Sequence, residues 1–358
     1  MKIGIVTLGG YYNYGNRLQN FALYKTIQAK LGHEVLTIVT PSAPIVRPVR
    51  NFKNVVRFFL KDLYRYRPMK MRARAFKQFT VQNTKEFIPK SETGLFESES
   101  NLFSKIIVGS DQVWNFNFLV ENELGLYLLS GVESKKRIAY AASMGNPPVK
   151  SEFHDIFKTN IKQFDSISVR EEATANYLEE EFSINSEVVV DPVFLLTKDE
   201  WQTYLDVSHP AEKYVFTYFL SKPSKKFKDF INQYANTINA KVISFQSLSL
   251  KNRKFFAAGP EKFVGMISGA QAVFTDSFHA SAFSSIFEVP YIVDNGRFGG
   301  SMSSRVQTLI HMTQTEGTIF GADTTVDTVN NIDYDNARSN LSKLREKSIA
   351  FLEEAVNS

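Results

Sequence analysis

Short apolar runs, each closed by small or polar residues, recur along the chain, and their spacing predicts buried strands alternating with amphipathic helices. Ile3, Ile5 and Val6 form the first strand. After a Gly/Tyr/Asn loop, Leu18, Ala22, Leu23, Ile27 and Leu31 fall at helical spacing over 17–31 until Gly32 stops the helix, and 35–39 returns as a strand. A βαβ unit of this kind makes its strands parallel and places functional loops at their carboxyl ends.

Pro41, Pro44 and Pro48 break the pattern before further strand-like runs at 106–108, 138–142, 167–169 and 188–190. These end at Gly109-Ser110-Asp111, Ser143, Arg170 and Asp191-Pro192, so each delivers polar groups to one sheet edge. A polar stretch over 197–212 leads into a second series, with strands at 214–220, 242–245, 272–275 and 291–293 and helices at 223–236, 260–268 and 279–287. Apolar positions over 336–356 predict a final helix. The fold class expected is α/β, two doubly wound Rossmann-like domains facing across a cleft, with domains at 1–195 and 196–333 and a C-terminal helix at 334–358.

At 358 residues the chain exceeds what one hydrophobic core usually supports, which agrees with this division. Hydrophobic residues at 43% and charged residues at 22% are the proportions of a folded globular protein. The chain has no cysteine, which excludes disulfides, thiolate nucleophiles and cysteine-ligated metals. The first apolar run is too short for a signal peptide or a membrane span, so a cytoplasmic location is expected.

The net charge of +5 is unevenly placed. Between Arg47 and Lys77 the basic residues, among them Arg57, Arg65, Arg72 and Arg74, are opposed by Asp62 alone and interleaved with apolar residues. This predicts an amphipathic helix over 47–77 with a cationic face, which either is simply solvated or makes a peripheral contact with anionic lipid and lipid-linked acceptors. No nucleic-acid-binding motif accompanies the charge.

Candidate chemistry falls into four clusters. The loop holding Asn13, Tyr14, Gly15 and Asn16 opens a helix whose N-terminus suits an anion, although capping by the Asn side chains accounts for the same residues. At 275–284 a strand turns into a helix capped by Asp276 or Ser277, which puts His279 in the first turn, a position for phosphate contact or for plain packing. Asp111 and Trp114 follow the strand at 106–108, where Asp111 suits hydroxyl activation and Trp114 suits sugar stacking, and where a loop packed by its own tryptophan is the competing reading. Arg170 and Arg305 suit carboxylate or phosphate, with pairing to Glu171 or Glu172 competing for Arg170. There is no H-E-x-x-H and no G-x-S-x-G, and the five histidines at 33, 154, 209, 279 and 311 are scattered, so zinc hydrolysis, serine-hydrolase chemistry and a dedicated metal centre lack support.

In order along the chain these clusters resemble the polysaccharide pyruvyl transferase family. The matching stretches are Asn13-Tyr14-Gly15-Asn16 with 18–23, 108–115, 140–145, Ser168-Val169-Arg170-Glu171, Asp191-Pro192, 275–279 and Ser303-Ser304-Arg305. The resemblance implies an architecture similar to the GT-B type of glycosyltransferase, and transfer of pyruvate from phosphoenolpyruvate onto two hydroxyls of one sugar, giving a cyclic ketal and phosphate. It implies no cofactor beyond that donor substrate, and a saccharide or lipid-linked oligosaccharide as acceptor. Two departures stand out: Ser277-Phe278-His279 occupies the place of the family's Arg-x-His, and Ala280 that of a frequent Gly.

On this resemblance His279 is expected to touch the donor phosphate and act as general acid, Ser277, Arg170 and Arg305 to hold the donor, and Asp111 to activate a hydroxyl. Asn13, Asn16 and Trp114 are expected on the acceptor side. Two rival readings are a nucleotide-sugar-dependent glycosyltransferase, distinguished by binding UDP or GDP, and a non-catalytic peripheral membrane or scaffold protein, distinguished by lipid binding without chemistry at His279.

Overall fold

Two parallel sheets organise the chain. The structure is a computed structural model that describes residues 1–9, 13–39, 70–89, 99–117, 119, 121–145, 147–246, 257–294, 304–315 and 318–358. The first sheet contains β1 (Lys2–Val6), β2 (Glu34–Ile38), β3 (Glu86–Phe87), β4 (Lys105–Gly109), β5 (Arg137–Ala142), β6 (Ser166–Val169) and β7 (Glu187–Val188), in the order β3-β2-β1-β4-β5-β6-β7. The second contains β8 (Tyr214–Phe219), β9 (Lys241–Gln246), β10 (Ala272–Thr275) and β11 (Tyr291–Val293), in the order β11-β10-β8-β9. Strand order reverses between β1 and β4 in one sheet and between β8 and β10 in the other. Ligands of open α/β sheets bind at the carboxyl side of such switch points.

Central strands such as β4, β5, β8 and β10 are buried at every position, which is why they read as unbroken apolar runs. Successive residues alternate between cores: Ile107 points into a cluster that also holds Phe216 and Tyr291 of the second sheet, while Ile106 and Val108 point into a separate cluster around Trp114 and Phe157. The apolar core between the two sheets is therefore continuous.

Tyr14 illustrates the continuity. It begins the helix Tyr14–Lys25 that follows β1, yet its ring stacks on Phe263 at 4.6 Å, meets Tyr218 edge-on at 5.8 Å, and its hydroxyl donates to the Ala258 carbonyl at 3.1 Å. The last helix, Tyr334–Asn357, ties the halves together from outside. Its Tyr334 hydroxyl donates to Val289 O at 2.6 Å, while Arg345 Nε donates to Phe194 O at 2.6 Å and Ser348 Oγ accepts from Val190 N at 3.1 Å.

Some expectations change. The polar stretch 197–212 contains the helix Lys198–Tyr204, started by a capping box in which Thr197 Oγ1 accepts from Glu200 N and Glu200 accepts from Thr197 N. The strand expected at 188–190 is confined to Glu187–Val188. Residues 47–69 of the basic segment, with 10–12 and 303 of the candidate loops, lie outside the described residues. A helix over 70–83 exposes Lys70, Arg74 and Lys77, but Arg72 leaves the cationic face. Its guanidinium is buried, 4.5 Å from the Tyr14 ring centroid and 5.4 Å from that of Phe76, because stacking on aromatic faces lets arginine enter an apolar core.

Candidate active site

The segments that follow β1, β4, β8 and β10 converge over the two switch points and enclose a cavity of about 60 Å³, with Asn13, Gly15, Asp111, Tyr218, His279 and Arg305 among its lining residues. Two helix N-termini meet here, one from each half. The helix Tyr14–Lys25 is capped by Asn13, whose side chain accepts from Asn16 N at 3.3 Å, and the helix Phe278–Phe287 is capped by Ser277, whose hydroxyl accepts from Ala280 N at 3.5 Å. Each end leaves further N–H groups unpaired and carries the positive pole of its helix, so the pair favours an anion. They are in contact: a Cβ placed on Gly15 would lie 1.9 Å from Nδ1 of His279. Only a glycine leaves room for that imidazole.

His279 is buried, and its Nε2 has no hydrogen-bond partner among the described residues. The nearest anionic group is Asp191, with Oδ2 3.8 Å from Nε2. Burial pushes the imidazole below its ordinary value of 6.5, against the opposing pull of Asp191 and Asp111. Burial thus favours the neutral ring. The acid role expected of it therefore depends on a bound anion raising its affinity for a proton.

Asp191 is itself fixed. Oδ2 accepts from Arg170 Nη1 at 2.6 Å and from Ser110 Oγ at 3.2 Å, and Oδ1 accepts from Val193 N at 3.1 Å. Arg170 Nε also donates to Glu171 Oε1 at 3.0 Å, and its guanidinium carbon lies 4.9 Å from the Phe278 ring centroid. Although burial works against the charge, Glu171, Asp191 and Asp111 hold this guanidinium protonated well above its usual range. Arg170 is not among the residues lining the cavity. It is bound to Glu171 and Asp191, and its Nη2 has no hydrogen-bond partner among the described residues.

Asp111 does line the cavity. It adopts φ +65°, a left-handed conformation that aspartate tolerates better than most residues, at a cost of about 1 kcal/mol or more. Its Oδ1 accepts from Gln112 N at 2.9 Å, and Asn16 Nδ2 lies 3.5 Å from Oδ2. Burial alone would raise its carboxyl, but the Arg170 and Arg305 guanidiniums, the Gln112 N–H and, whenever it carries a proton, His279 bring it below the ordinary value. Arg305, in the first turn of the helix Ser304–Thr313, reaches the same wall, where the Gln112 amide oxygen faces its guanidinium at 2.7 Å from Nη2. Asn16 is buried behind Asp111, and its Oδ1 has no partner among the described residues.

Trp114 is a correction. It is 1% exposed, its Nε1 donates to Tyr127 O at 3.0 Å, and Phe157 and Phe164 pack edge-on against it, so it fills the core of the first half and offers no face to a sugar. Asp276 is turned to the loop after β8, where its carboxylate accepts from Leu220 N, Ser221 N and Ser221 Oγ at 2.6–2.9 Å. That leaves the capping to Ser277.

Asp191 and Tyr218 belong to this site without a role in the sequence reading, whereas Gly15 lies in the loop expected to meet an anion. Gly15 had a signal in its place beside a helix start, and Asp191 in an Asp-Pro that closes a strand. Tyr218 reads as one more aromatic in a strand, and nothing local distinguishes it.

The polysaccharide pyruvyl transferase family model matches residues 13–293, which includes every residue lining the cavity except Arg305. No curated protein matches the chain. Among solved structures it is similar to UDP-N-acetylglucosamine 2-epimerase from Rickettsia bellii, at 12% identity and a TM-score of 0.50, covering 100% of this chain and 97% of that one. It is also similar to UDP-GlcNAc 2-epimerase from Methanocaldococcus jannaschii, at 13% identity and a TM-score of 0.49, covering 97% and 99%. A third is the ADP-heptose heptosyltransferase II of E. coli, at 11% identity and a TM-score of 0.38, covering 97% and 99%. At such identities the likeness concerns the fold alone, which is GT-B-like.

Proposed function

We propose that this chain, which belongs to the polysaccharide pyruvyl transferase family, transfers pyruvate from phosphoenolpyruvate to two hydroxyls of one sugar, forming a cyclic ketal and releasing phosphate. The observation that carries this reading is the contact of two helix N-termini at Gly15 and His279, with Arg305 on the same wall, which makes a small anion-binding cavity at both switch points.

In the first step the donor's methylene carbon takes a proton, its C2 becomes electrophilic, and one sugar hydroxyl adds while losing its own proton. In the second step the other hydroxyl adds to C2, its proton passes to the departing phosphate, and the C2–O bond to phosphate breaks. Asp111, held as a carboxylate, is placed to take a hydroxyl proton. His279, whose burial favours the neutral ring, gains a proton when the donor's phosphate lies against it and gives that proton to the methylene carbon. Asp191 steadies the imidazolium, and Arg170 holds Asp191 in place. Arg305 takes an anionic group of the donor. The acceptor is a saccharide or lipid-linked oligosaccharide.

The exposed cations of the helix over 70–83 support a second part of the proposal, that this face meets anionic lipid. Lys70, Arg74 and Lys77 share one stripe with the exposed Val81, while Met71 flanks it. No helix among the described residues is long and apolar enough to cross a membrane.

The test is acceptor-dependent phosphate release from phosphoenolpyruvate. The expected result is release by the wild type and a loss of about a hundredfold or more in His279→Ala with the fold retained by circular dichroism. Stabilisation by a UDP- or GDP-sugar, with none by phosphoenolpyruvate, would instead identify a glycosyltransferase.

A further inference from the structure

The residues around the cavity divide by exposure. Gly15, Asp111, Tyr218 and His279 are buried and form its floor, whereas Asn13 and Leu220 are exposed and stand at its mouth, one from each half. Leu220 follows β8 directly. It lies two residues beyond Tyr218, a spacing that along an extended chain turns both side chains to one face, while Phe219 between them packs into the core of the second half. Leu220 is 39% exposed, and a surface leucine by itself is ordinary.

This leucine is set apart by how its backbone is held. Asp276, which also lines the cavity, accepts from Leu220 N at 2.6 Å with Oδ1, and from Ser221 N at 2.9 Å and Ser221 Oγ at 2.6 Å with Oδ2. The bend after β8 is thereby pinned to the strand-to-helix turn that carries Ser277 and His279. The three donors also offset the negative charge that Asp276 would otherwise present to an anion.

We propose that Leu220 is a specificity-determining residue, whose side chain covers the methylene end of the donor and leaves no room for a substituent there, and that Asp276 is its positioning residue. The assignment rests on the reading that the donor is phosphoenolpyruvate. A cavity of about 60 Å³ has room for a group the size of phosphate and little more. When the phosphate meets the two helix N-termini, the enol carbons therefore lie at the mouth. There the carboxylate goes to the Arg305 guanidinium, and the methylene, the donor's one apolar group, goes to Leu220, the one aliphatic side chain in the described lining.

The experiment measures binding to the full chain by calorimetry with three probes. These are inorganic phosphate, phosphoenolpyruvate, and (Z)-phosphoenolbutyrate, which adds one methyl group to the methylene carbon and keeps the same charges. The wild type is expected to prefer phosphoenolpyruvate over the butyrate by about tenfold or more, the scale on which an apolar pocket reads one carbon. Leu220→Ala should erase most of that preference while phosphate binds as before, and Leu220→Met, which keeps the bulk, should retain it. Asp276→Asn should narrow the preference on its own and narrow it no further in the Leu220→Ala protein, because the lost charge acts alike on both donors. An Asp276→Asn protein with the wild-type preference overturns the positioning role. A preference unchanged in Leu220→Ala, or absent from the wild type, overturns the assignment and leaves the proposed function standing. A wild type that does not bind phosphoenolpyruvate overturns both.

Discussion

Gly15 and His279 belong to different halves of the molecule and touch so closely that a single methyl group on Gly15 would overlap the imidazole, 1.9 Å from Nδ1. The ring cannot keep its place beside any other residue. Gly15→Ala is therefore expected to lower turnover by about a hundredfold, the scale of losing a general acid–base group. In a His279→Ala background the same change should cost almost nothing more. A four-member cycle of phosphate-release rates checks this, and additive losses would show that Gly15 acts by some route other than His279.

Asp191 joins Arg170, Ser110 and the Val193 amide behind His279. Asp191→Asn keeps the size of the group but removes the charge that faces Arg170. Breaking a buried pair in this way usually costs about 3–5 kcal/mol, and the lower end applies because Glu171 still faces the guanidinium. Urea unfolding should show that loss, and a midpoint unchanged from wild type would mean the network contributes little to stability.

The pH dependence follows from His279. Its folded value lies below 6.5 because it is buried, so between 6.5 and that lower value the unfolded chain takes a proton that the folded chain does not. Stability from this group is intact above the window and is lost as pH falls through it, by at most about 1.4 kcal/mol per pH unit. An anion in the cavity raises the folded value and should remove the loss. Thermal melts from neutral to mildly acidic pH, with and without sulfate, test the sign; sulfate that protects no better in acid than at neutral pH would count against an anion beside His279.

Trp114→Phe should separate core from site. Losing the hydrogen bond to Tyr127 O and part of a buried ring should cost about 1–3 kcal/mol. The Michaelis constant for the acceptor should not move, and a rise of several-fold would return Trp114 to the acceptor side.

For the cationic stripe, sedimentation with anionic vesicles should exceed that with neutral ones and weaken as salt rises. The double change Arg74→Glu and Lys77→Glu should reduce it at least severalfold, while equal sedimentation of the two proteins would leave the stripe as a solvated surface.

Most of the framework was legible because its signals are local. Buried parallel strands are short apolar runs, and β10 and β11 fall at 272–275 and 291–293 as read from the sequence. Helix starts were less legible: the helix read from residue 17 begins at Tyr14, because Asn13 is its cap. The Thr197-Lys198-Asp199-Glu200 capping box announces a helix in a stretch read as polar linker. Site residues divide along the same line. His279 and Ser277 were legible from a strand-to-helix turn, as was Glu171 as a partner of Arg170, whereas the pairing of Arg170 with Asp191, the core position of Trp114 and the burial of Arg72 depend on residues farther away in the chain. A guanidinium has the same letter whether it meets water, a carboxylate or a ring.

Tyr14 carries a mechanical consequence. It grows from the helix after β1 yet is 1% exposed, among Phe263, Tyr218 and Phe245 of the other half. The ring works as a tenon in a mortise. Motions that turn one half about the ring keep its contacts, while motions that draw the halves straight apart must extract a fully buried aromatic, at a cost of roughly 2–3 kcal/mol before anything else is broken. Gly15, the next residue, lines the cavity, so the ring that fastens the two halves together also fixes the backbone that meets His279.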